Sequence, residues 1–147
     1  MKKILLAFLF LAVLSCSKVP ITGRKQMNLL PESTMMSMSL TNYRDFLKEH
    51  PPATWGAEMQ QVKNIGAKIS SAVSQYMQKN KMGDRLKGYQ WVFNLVNDKA
   101  VNAWCMPGGK VVVYTGLLPI TQDETHLAFV MGHEIAHAVA RHGNERM

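Results

Sequence analysis

Histidine is concentrated near the carboxyl end of the chain, where four of the five histidines lie between residues 126 and 142. Two of them, His133 and His137, flank Glu134 in the pattern His-Glu-x-x-His. Because four residues turn a helix by about 400°, the two imidazoles would share one helix face, about 6 Å apart along the axis. Imidazoles placed in this way can ligate one zinc ion. The spacing therefore predicts a Zn²⁺ site with His133 and His137 as metal ligands.

Glu134 is expected to be the catalytic base and not a ligand. It is offset by about 100° from His133 around the helix, so its carboxylate can reach a water on the metal. Zinc lowers the pKa of such a water toward about 7, and a neighbouring carboxylate can take its proton and pass it to a leaving amine. The motif therefore predicts peptide-bond hydrolysis. Since the same pattern also occurs by chance in unrelated helices, the surrounding elements have to support it.

The two other histidines of this region do not fit the site as ligands on a continuous helix. His126 lies seven residues before His133, about 10 Å down the axis, which is too far for a zinc–nitrogen bond of about 2 Å. His142 follows His137 by five residues, about 140° round the helix. The metzincin pattern is excluded, because Gly143 stands where its third histidine would be. We expect His142 at the surface or beside a ligand.

The motif is predicted to lie on a helix over residues 122–142. Thr121, with Glu124 three residues later, forms a capping box and is the expected N-cap. Apolar residues recur through the segment, and Gly143 is a typical residue for ending a helix after His142.

Three strands are expected ahead of this helix. Apolar and polar residues alternate over residues 89–97, which are rich in residues that favour strands. Residues 101–106 and 111–115 flank the turn signal at residues 107–110, Pro-Gly-Gly-Lys. The last two strands would therefore form a β-hairpin.

Two helices precede the strands. Residues 33–48 form the first, with Ser33 as a possible N-cap, and apolar residues recur at helical steps over residues 54–80. The predicted fold class is α+β: N-terminal helices, a small β-sheet with a hairpin, and then the helix that carries the motif.

The amino terminus has the pattern of a leader. Lys2 and Lys3 precede an unbroken apolar run over residues 4–14, which is shorter than the about 20 residues that span a bilayer. We therefore predict a signal peptide over residues 1–15. Residues 13–16, Val-Leu-Ser-Cys, resemble the lipobox of bacterial lipoproteins, which implies cleavage before Cys16 and a lipid on its sulfur. The polar residues up to residue 31 would then form a lipid-anchored tether.

Composition limits the class of protein. About 47% of the residues are apolar and 18% are charged, which excludes a disordered chain. The formal net charge of +7 alone fits a nucleic-acid binder, but the lysines are dispersed and the leader indicates export, so no nucleic-acid partner is expected. With Cys16 lipidated, Cys105 has no cysteine partner in the chain and is expected to be a small buried apolar residue.

Several short motifs together resemble one family. They are Asn102-Ala103, Pro107-Gly108-Gly109, Gly116-Leu117-Leu118, the His133–His137 motif followed by Arg141-His142, and, near the amino terminus, Pro20-Ile21-Thr22-Gly23-Arg24. The chain resembles the zinc metallopeptidase family of HtpX, the CAAX prenyl endopeptidase and periplasmic BepA, in its lipid-anchored branch. The resemblance implies a zincin-like, gluzincin fold over residues 32–147.

The resemblance also implies roles for residues. His133 and His137 would hold zinc and Glu134 would be the base. A substrate peptide would pair with the strand before the active helix, and the residues implied in substrate binding are Val111, Val112, Val113 and Tyr114. The family's third ligand is a glutamate on a later helix. The sole glutamate among the ten residues after His137 is Glu145, which lies only eight residues on and just past Gly143, so it does not match that ligand. The domain is therefore expected to be incomplete, as a fragment of a longer protein or as a truncated, inactive product.

Two functions are compatible with these observations. The first is a zinc metalloendopeptidase, lipid-anchored in the bacterial cell envelope at the outer membrane and facing the periplasm, which hydrolyses unfolded or misassembled envelope proteins in quality control. The alternative is a truncated, non-catalytic module that binds peptides in the manner of a chaperone.

Overall fold

A three-stranded sheet lies between helices in the computed structural model, which describes residues 16–19, 23–27 and 30–145. The strands of the described residues are β1 (Cys16–Lys18), β2 (Lys25–Met27), β3 (Val92–Val96), β4 (Ala103–Met106) and β5 (Lys110–Tyr114). The α-helices are α1 (Glu32–Glu49), α2 (Ala57–Lys79), α3 (Leu118–Thr121), α4 (Glu124–Val139) and α5 (His142–Glu145). Short 3₁₀ helices cover Gly83–Leu86 and Thr115–Leu117. The predicted α+β class and the order of its main elements are confirmed.

Strand β5 is the centre of the sheet. It pairs in parallel with β3 and antiparallel with β4, so the strand order is β3-β5-β4. The predicted hairpin of β4 and β5 is therefore confirmed, and Trp104 lies opposite Val112 in its register. Every residue of β5 is buried. Its nearly continuous apolar sequence is typical of a strand that is covered on both faces.

The two faces of the sheet pack against different helices. Val111 and Val113 join a hydrophobic cluster with residues of α2 and α4. Val112 and Tyr114 point to the other face and join a second cluster with Tyr43 of α1. This division follows from the alternation of side chains along a strand, and it places the motif helix directly against the sheet.

Both predicted N-caps are wrong. Helix α1 begins at Glu32, and the residue before it, Pro31, makes no side-chain capping bond, so Ser33 lies inside the helix. At the motif helix, the N-cap is Asp123, whose carboxylate accepts a hydrogen bond from the backbone N–H of His126 at 2.9 Å. Thr121 instead ends the separate helix α3. The two helices are separate because Gln122 has a φ of 62°, which no continuous helix allows.

The motif helix ends three residues earlier than predicted. Helix α4 stops at Val139, Ala140 is its C-cap, and Arg141 has a φ of 62°. The chain turns at Arg141 and begins the short helix α5 at His142. The left-handed residue that ends the helix is therefore an arginine, and not the glycine that the sequence favoured.

The segment interpreted as a tether contains secondary structure. Strands β1 and β2 pair antiparallel, with Cys16 opposite Met27. Farther along, the Asn144 side chain accepts from the backbone N–H of Leu30 at 3.1 Å and donates to the Leu30 carbonyl at 2.8 Å.

Residues 1–15, the predicted signal peptide, lie outside the described residues, and the lipid on Cys16 stays a prediction. No helix in the described part of the chain combines the length and apolar character needed to cross a bilayer.

Candidate metal centre

The two motif histidines converge on one point. The Nε2 atoms of His133 and His137 lie 3.0 Å apart, and the planes of their rings meet at 76°. Two nitrogens bound to one tetrahedral zinc at about 2.0–2.1 Å would lie about 3.3 Å from each other. The His133 side chain is exposed and that of His137 is partly exposed. The pair thus has the spacing and access of two ligands to one zinc ion.

The described residues supply only this pair. Among the side chains that the structure describes, no group of three or more His, Cys, Asp or Glu that could hold a metal occurs. A catalytic zinc site usually has three protein ligands. The described side chains therefore fit part of such a site.

The packing of α4 determines where the histidines point. Leu127, Met131 and Ile135 recur every four residues and are at most 1% exposed, so they anchor one face of the helix in the core. His133 and His137 each follow a buried residue by two positions, about 200° around the helix. They therefore lie on the face that is turned away from the core.

Long-range contacts hold the carboxyl end of α4. The Tyr89 hydroxyl donates to the Ala138 carbonyl at 3.2 Å, and Arg85 Nη1 donates to the Val139 carbonyl at 3.4 Å. Burial raises the pKa of Tyr89, so the hydroxyl keeps the proton that it donates. Sequence reasoning missed both residues, because their partners lie 49 and 54 positions away and no local pattern links them.

An ion pair holds the turn that follows α4. Arg141 Nε lies 3.0 Å from Glu32 Oε2, and the two side chains are only 20% and 16% exposed. Burial raises the pKa of Glu32, although the charge of Arg141 acts in the opposite direction. The pair joins the start of α1 to the left-handed residue at the end of the motif helix.

Glu134 faces a small cavity of about 340 Å³ beside the histidine pair. The cavity is lined by Cys105, Pro107, Glu134, His137, Ala138, Arg141, His142 and Gly143. Burial, and after it the charge of Glu134, raises the pKa of the Cys105 thiol to about 12, so this cysteine is a neutral wall of the cavity. His137 also lines the cavity, and Glu134 and a motif histidine therefore border one space.

His142 lies against the second motif histidine. Its Nδ1 is 2.6 Å from Nδ1 of His137, and the ring centroids are 4.8 Å apart. His142 was expected at the surface or beside a ligand; the structure places it in contact with His137, whose role as a ligand stays a prediction. The turn at Arg141 brings the two rings together, since a continuous helix would separate them by about 140°.

A larger cavity of about 840 Å³ lies between α2 and α4, and His133 and His137 are in its wall. Most of its other lining side chains are apolar, including Val73 and Met77 of α2 and Val139 of α4. Both histidines therefore border an apolar space, and His137 borders the Glu134 cavity as well.

The predicted substrate strand is not an edge. Val111, Val112 and Val113 have no exposed surface, Tyr114 is 8% exposed, and both sides of β5 are paired. A peptide cannot add to a strand whose backbone groups are already bonded to two neighbours, so the prediction that these four residues pair with substrate is wrong. The edge strand beside the motif helix is β4, which packs against α4.

The sequence was compared with those of known proteins. Residues 63–147 match the profile of peptidase family M48. The mitochondrial metalloendopeptidase OMA1 of Homo sapiens is 30% identical over 128 residues, 86% of this chain and 24% of that protein. OMA1 of Arabidopsis thaliana is 43% identical over 76 residues, 46% of this chain and 16% of that protein.

A bacterial relative is also similar. The beta-barrel assembly-enhancing protease of Yersinia pestis is 44% identical over 50 residues, 34% of this chain and 10% of that protein. The chain thus spans a quarter or less of the length of these relatives. Because the matched profile covers more than half of the chain and includes the whole histidine motif, the chain belongs to peptidase family M48.

Proposed function

We propose that this chain carries the metal-binding and catalytic helix of a zinc metalloendopeptidase, with His133 and His137 as zinc ligands and Glu134 as general base. The observation that carries the proposal is the 3.0 Å convergence of the two Nε2 atoms on the outward face of a capped, core-anchored helix. The metalloendopeptidases among the relatives support it. The third ligand is proposed to lie outside the described residues.

Each side chain has a separate task in this proposal. Zinc at this position would polarise the scissile carbonyl and acidify water. Glu134 accepts a proton and delivers it to the nitrogen of the departing amine. The cavity of about 340 Å³ that Glu134 shares with His137 leaves room for these groups to approach the carboxylate.

The substrate is proposed to bind as an extended strand along β4. In the described part of the chain, the side of β4 away from β5 pairs with no other strand. Cys105 of β4 and Glu134 line the same cavity, so a peptide on this edge would pass the catalytic carboxylate. Main-chain pairing gives affinity with little dependence on sequence, which suits unfolded proteins as substrates.

The location and the substrates are also proposals. The leader-like residues 1–15 and the lipobox-like residues before Cys16 support a lipid-anchored protein of the bacterial envelope. The outer membrane, on its periplasmic side, is the proposed site, and unfolded or misassembled envelope proteins are the proposed substrates. The name of the Yersinia pestis relative, a beta-barrel assembly-enhancing protease, is consistent with this role. The OMA1 relatives are mitochondrial, so they do not support a bacterial envelope location.

Mass spectrometry on protein from the native cell tests the anchor. We expect the mature chain to begin at Cys16 and to carry diacylglyceryl and acyl groups, because residues 13–16 have the lipobox pattern. Ser17 has no thiol and should carry no lipid, so it serves as the control position in the same spectra. An intact chain with an unmodified Met1 would contradict the proposed anchor.

A cleavage assay tests the activity. Protein purified from the native cell should degrade casein, lose this activity with a chelator and regain it when zinc is added. Degradation that continues unchanged in the chelator would contradict the proposed metalloendopeptidase.

A further inference from the structure

We propose that His142 is a positioning residue for the metal site. Its Nδ1 accepts a hydrogen bond from Nδ1–H of His137, which keeps Nε2 of His137 unprotonated and directed at the zinc position. The inference rests on the proposed function, because it assigns a task to His142 only if His137 is a ligand.

The distances at the two ends of the His137 ring carry the argument. Nε2 of His137 lies 3.0 Å from Nε2 of His133, and Nδ1 of His137 lies 2.6 Å from Nδ1 of His142. One proton must lie between the two Nδ1 atoms, since two bare lone pairs would repel each other at this distance. Without a metal, a proton must also lie between the two Nε2 atoms, and it lies on His133 when His137 carries its proton on Nδ1. A neutral imidazole carries a single N–H. If the proton is on His137, Nε2 of that ring keeps its lone pair for the metal; if it is on His142, Nε2 of His137 is protonated and cannot bind.

This arrangement matches a general feature of metal sites. A histidine ligand usually donates its second ring N–H to an acceptor, which fixes its tautomer and its orientation. Such acceptors are usually carboxylates, carbonyls or water, and here the acceptor is the imidazole of His142. His142 is not itself a ligand in this arrangement, because its Nδ1 faces the side of His137 opposite the zinc position.

The backbone is built to bring His142 to this place. A φ of 62° at Arg141 turns the chain back, although non-glycine residues seldom adopt this conformation. The ion pair of Arg141 with Glu32 holds the turn from one side. The two hydrogen bonds between Asn144 and Leu30 hold it from the other. Unfavourable backbone conformations that are held by such contacts are concentrated at functional sites.

Two substitutions separate the acceptor from the packing of the ring. His142→Leu keeps the bulk and removes the acceptor, whereas His142→Asn places an amide oxygen near the position of Nδ1. His142→Ser is a second variant that loses the acceptor, because its side chain is polar but too short to reach His137. His142→Leu and His142→Ser are the two loss variants. His126→Leu is the matched control, a histidine of the motif helix whose side chain is exposed and lies 2.9 Å from Asp123, away from His137.

Zinc affinity is the first measurement, made on the full chain by competition with a chromophoric chelator. We expect His142→Leu and His142→Ser to lose about 10- to 100-fold in affinity, the usual effect of removing the partner of a ligand. His142→Asn and His126→Leu should stay close to wild type. Circular dichroism of each metal-free variant verifies that it is folded.

The tautomer of His137 is the second measurement and needs no metal. Long-range proton–nitrogen NMR correlations on the metal-free chain should show the Nδ1–H form of His137 in wild type and His142→Asn. The Nε2–H form should appear in His142→Leu and His142→Ser.

The outcomes distinguish the two proposals. If wild type binds zinc and both loss variants bind it equally well with the same His137 tautomer, the role of His142 is overturned while the proposed function stands. Cobalt can replace zinc for X-ray absorption measurements. If these count three imidazoles around the bound cobalt, the positioning role of His142 is overturned as well, because His142 would then be a ligand. Protein purified from the native cell that holds no zinc overturns the proposed function itself.

Discussion

Glu134 is adjacent to His133 in the chain but borders a different space. The His133 ring lines the large apolar cavity, whereas the Glu134 carboxylate lines the small cavity with Cys105. His137 lines the same small cavity as Glu134, so the proposed role of Glu134 places its carboxylate beside one of the two motif histidines.

Substituting Glu134 by Gln should separate metal binding from catalysis. The amide keeps the shape of the side chain but cannot take a proton, so we expect zinc to stay bound and peptide cleavage to fall by about 10²- to 10⁴-fold. Zinc content and casein cleavage of the purified protein measure the two effects. Loss of zinc together with activity would show that Glu134 holds the metal.

Prediction at the residue scale succeeds where the cause is local. His133 and His137 could be placed from the sequence, because their spacing and the helix geometry determine their convergence. His142 could not, since its position depends on the backbone of Arg141 and on contacts with Glu32, far away in the chain. The sequence signal that existed was the Arg-His pair directly after the motif helix.

At the scale of elements, the start of α4 depends on Asp123. Its carboxylate accepts from the backbone N–H of His126 and lies 2.9 Å from the His126 ring. The backbone hydrogen bond is the largest cause that lowers the pKa of Asp123. A lowered pKa in the folded state means that the stabilisation is present above the ordinary pKa and is lost as the pH falls through the lowered value.

Acid titration of helix stability tests this cap. Wild type should lose stability progressively below about pH 4, whereas Asp123→Asn, which caps a helix about as well and does not titrate, should lose less over the same range. Asp123→Ala should melt at a lower temperature already at neutral pH. Thermal unfolding at several pH values measures all three, and identical acid profiles for wild type and Asp123→Asn would contradict the assignment of the cap.

The packing of α2 on the sheet depends on the absence of a side chain at Gly66. A Cβ at this position would lie 2.3 Å from the Phe93 ring, whereas a Cβ at Gly132 of α4 would meet nothing within 4 Å. Gly66 therefore lies inside a helix for a packing reason, although glycine disfavours helices.

Alanine substitutions at the two helical glycines should have opposite effects. We expect Gly66→Ala to destabilise the fold by about 1–3 kcal/mol through overpacking, and Gly132→Ala to stabilise it by about 0.5–1 kcal/mol through helix propensity. Chemical denaturation of both variants measures the difference. Equal stabilisation by both substitutions would show that α2 does not approach β3 closely.

Strands could be predicted from the sequence more easily than their pairing. Alternation and β-branched residues indicated β3 and β5, but the parallel pairing of these two strands is a long-range contact. The unbroken apolar run at residues 111–113 was the available signal that β5 is covered on both faces and is not an edge. The N-cap of α4 was missed because Thr121 and Asp123 are both good capping residues and local sequence does not choose between them.

In the described fold as a whole, the motif helix α4 is positioned by a three-layer arrangement of helix, sheet and helices. Helix α1 covers one face of the sheet, and α2 and α4 cover the other. The carbonyls at the end of α4 accept hydrogen bonds from Tyr89 and Arg85, and Arg141 in the turn after it forms an ion pair with Glu32 at the start of α1. The helix end beside the histidine pair is therefore held by residues 49 or more positions away in the chain, which local sequence patterns do not reveal.

A zinc titration of the full chain tests the metal site most directly. Wild type, Glu134→Gln and the control His126→Ala should bind one zinc per chain with equal affinity. His133→Ala and His137→Ala should each lose more than the 10- to 100-fold that removal of a ligand's partner costs, since each removes a ligand itself. If both histidine variants bind zinc as tightly as wild type, the convergence of the two rings has no role in metal binding and the proposed site is wrong.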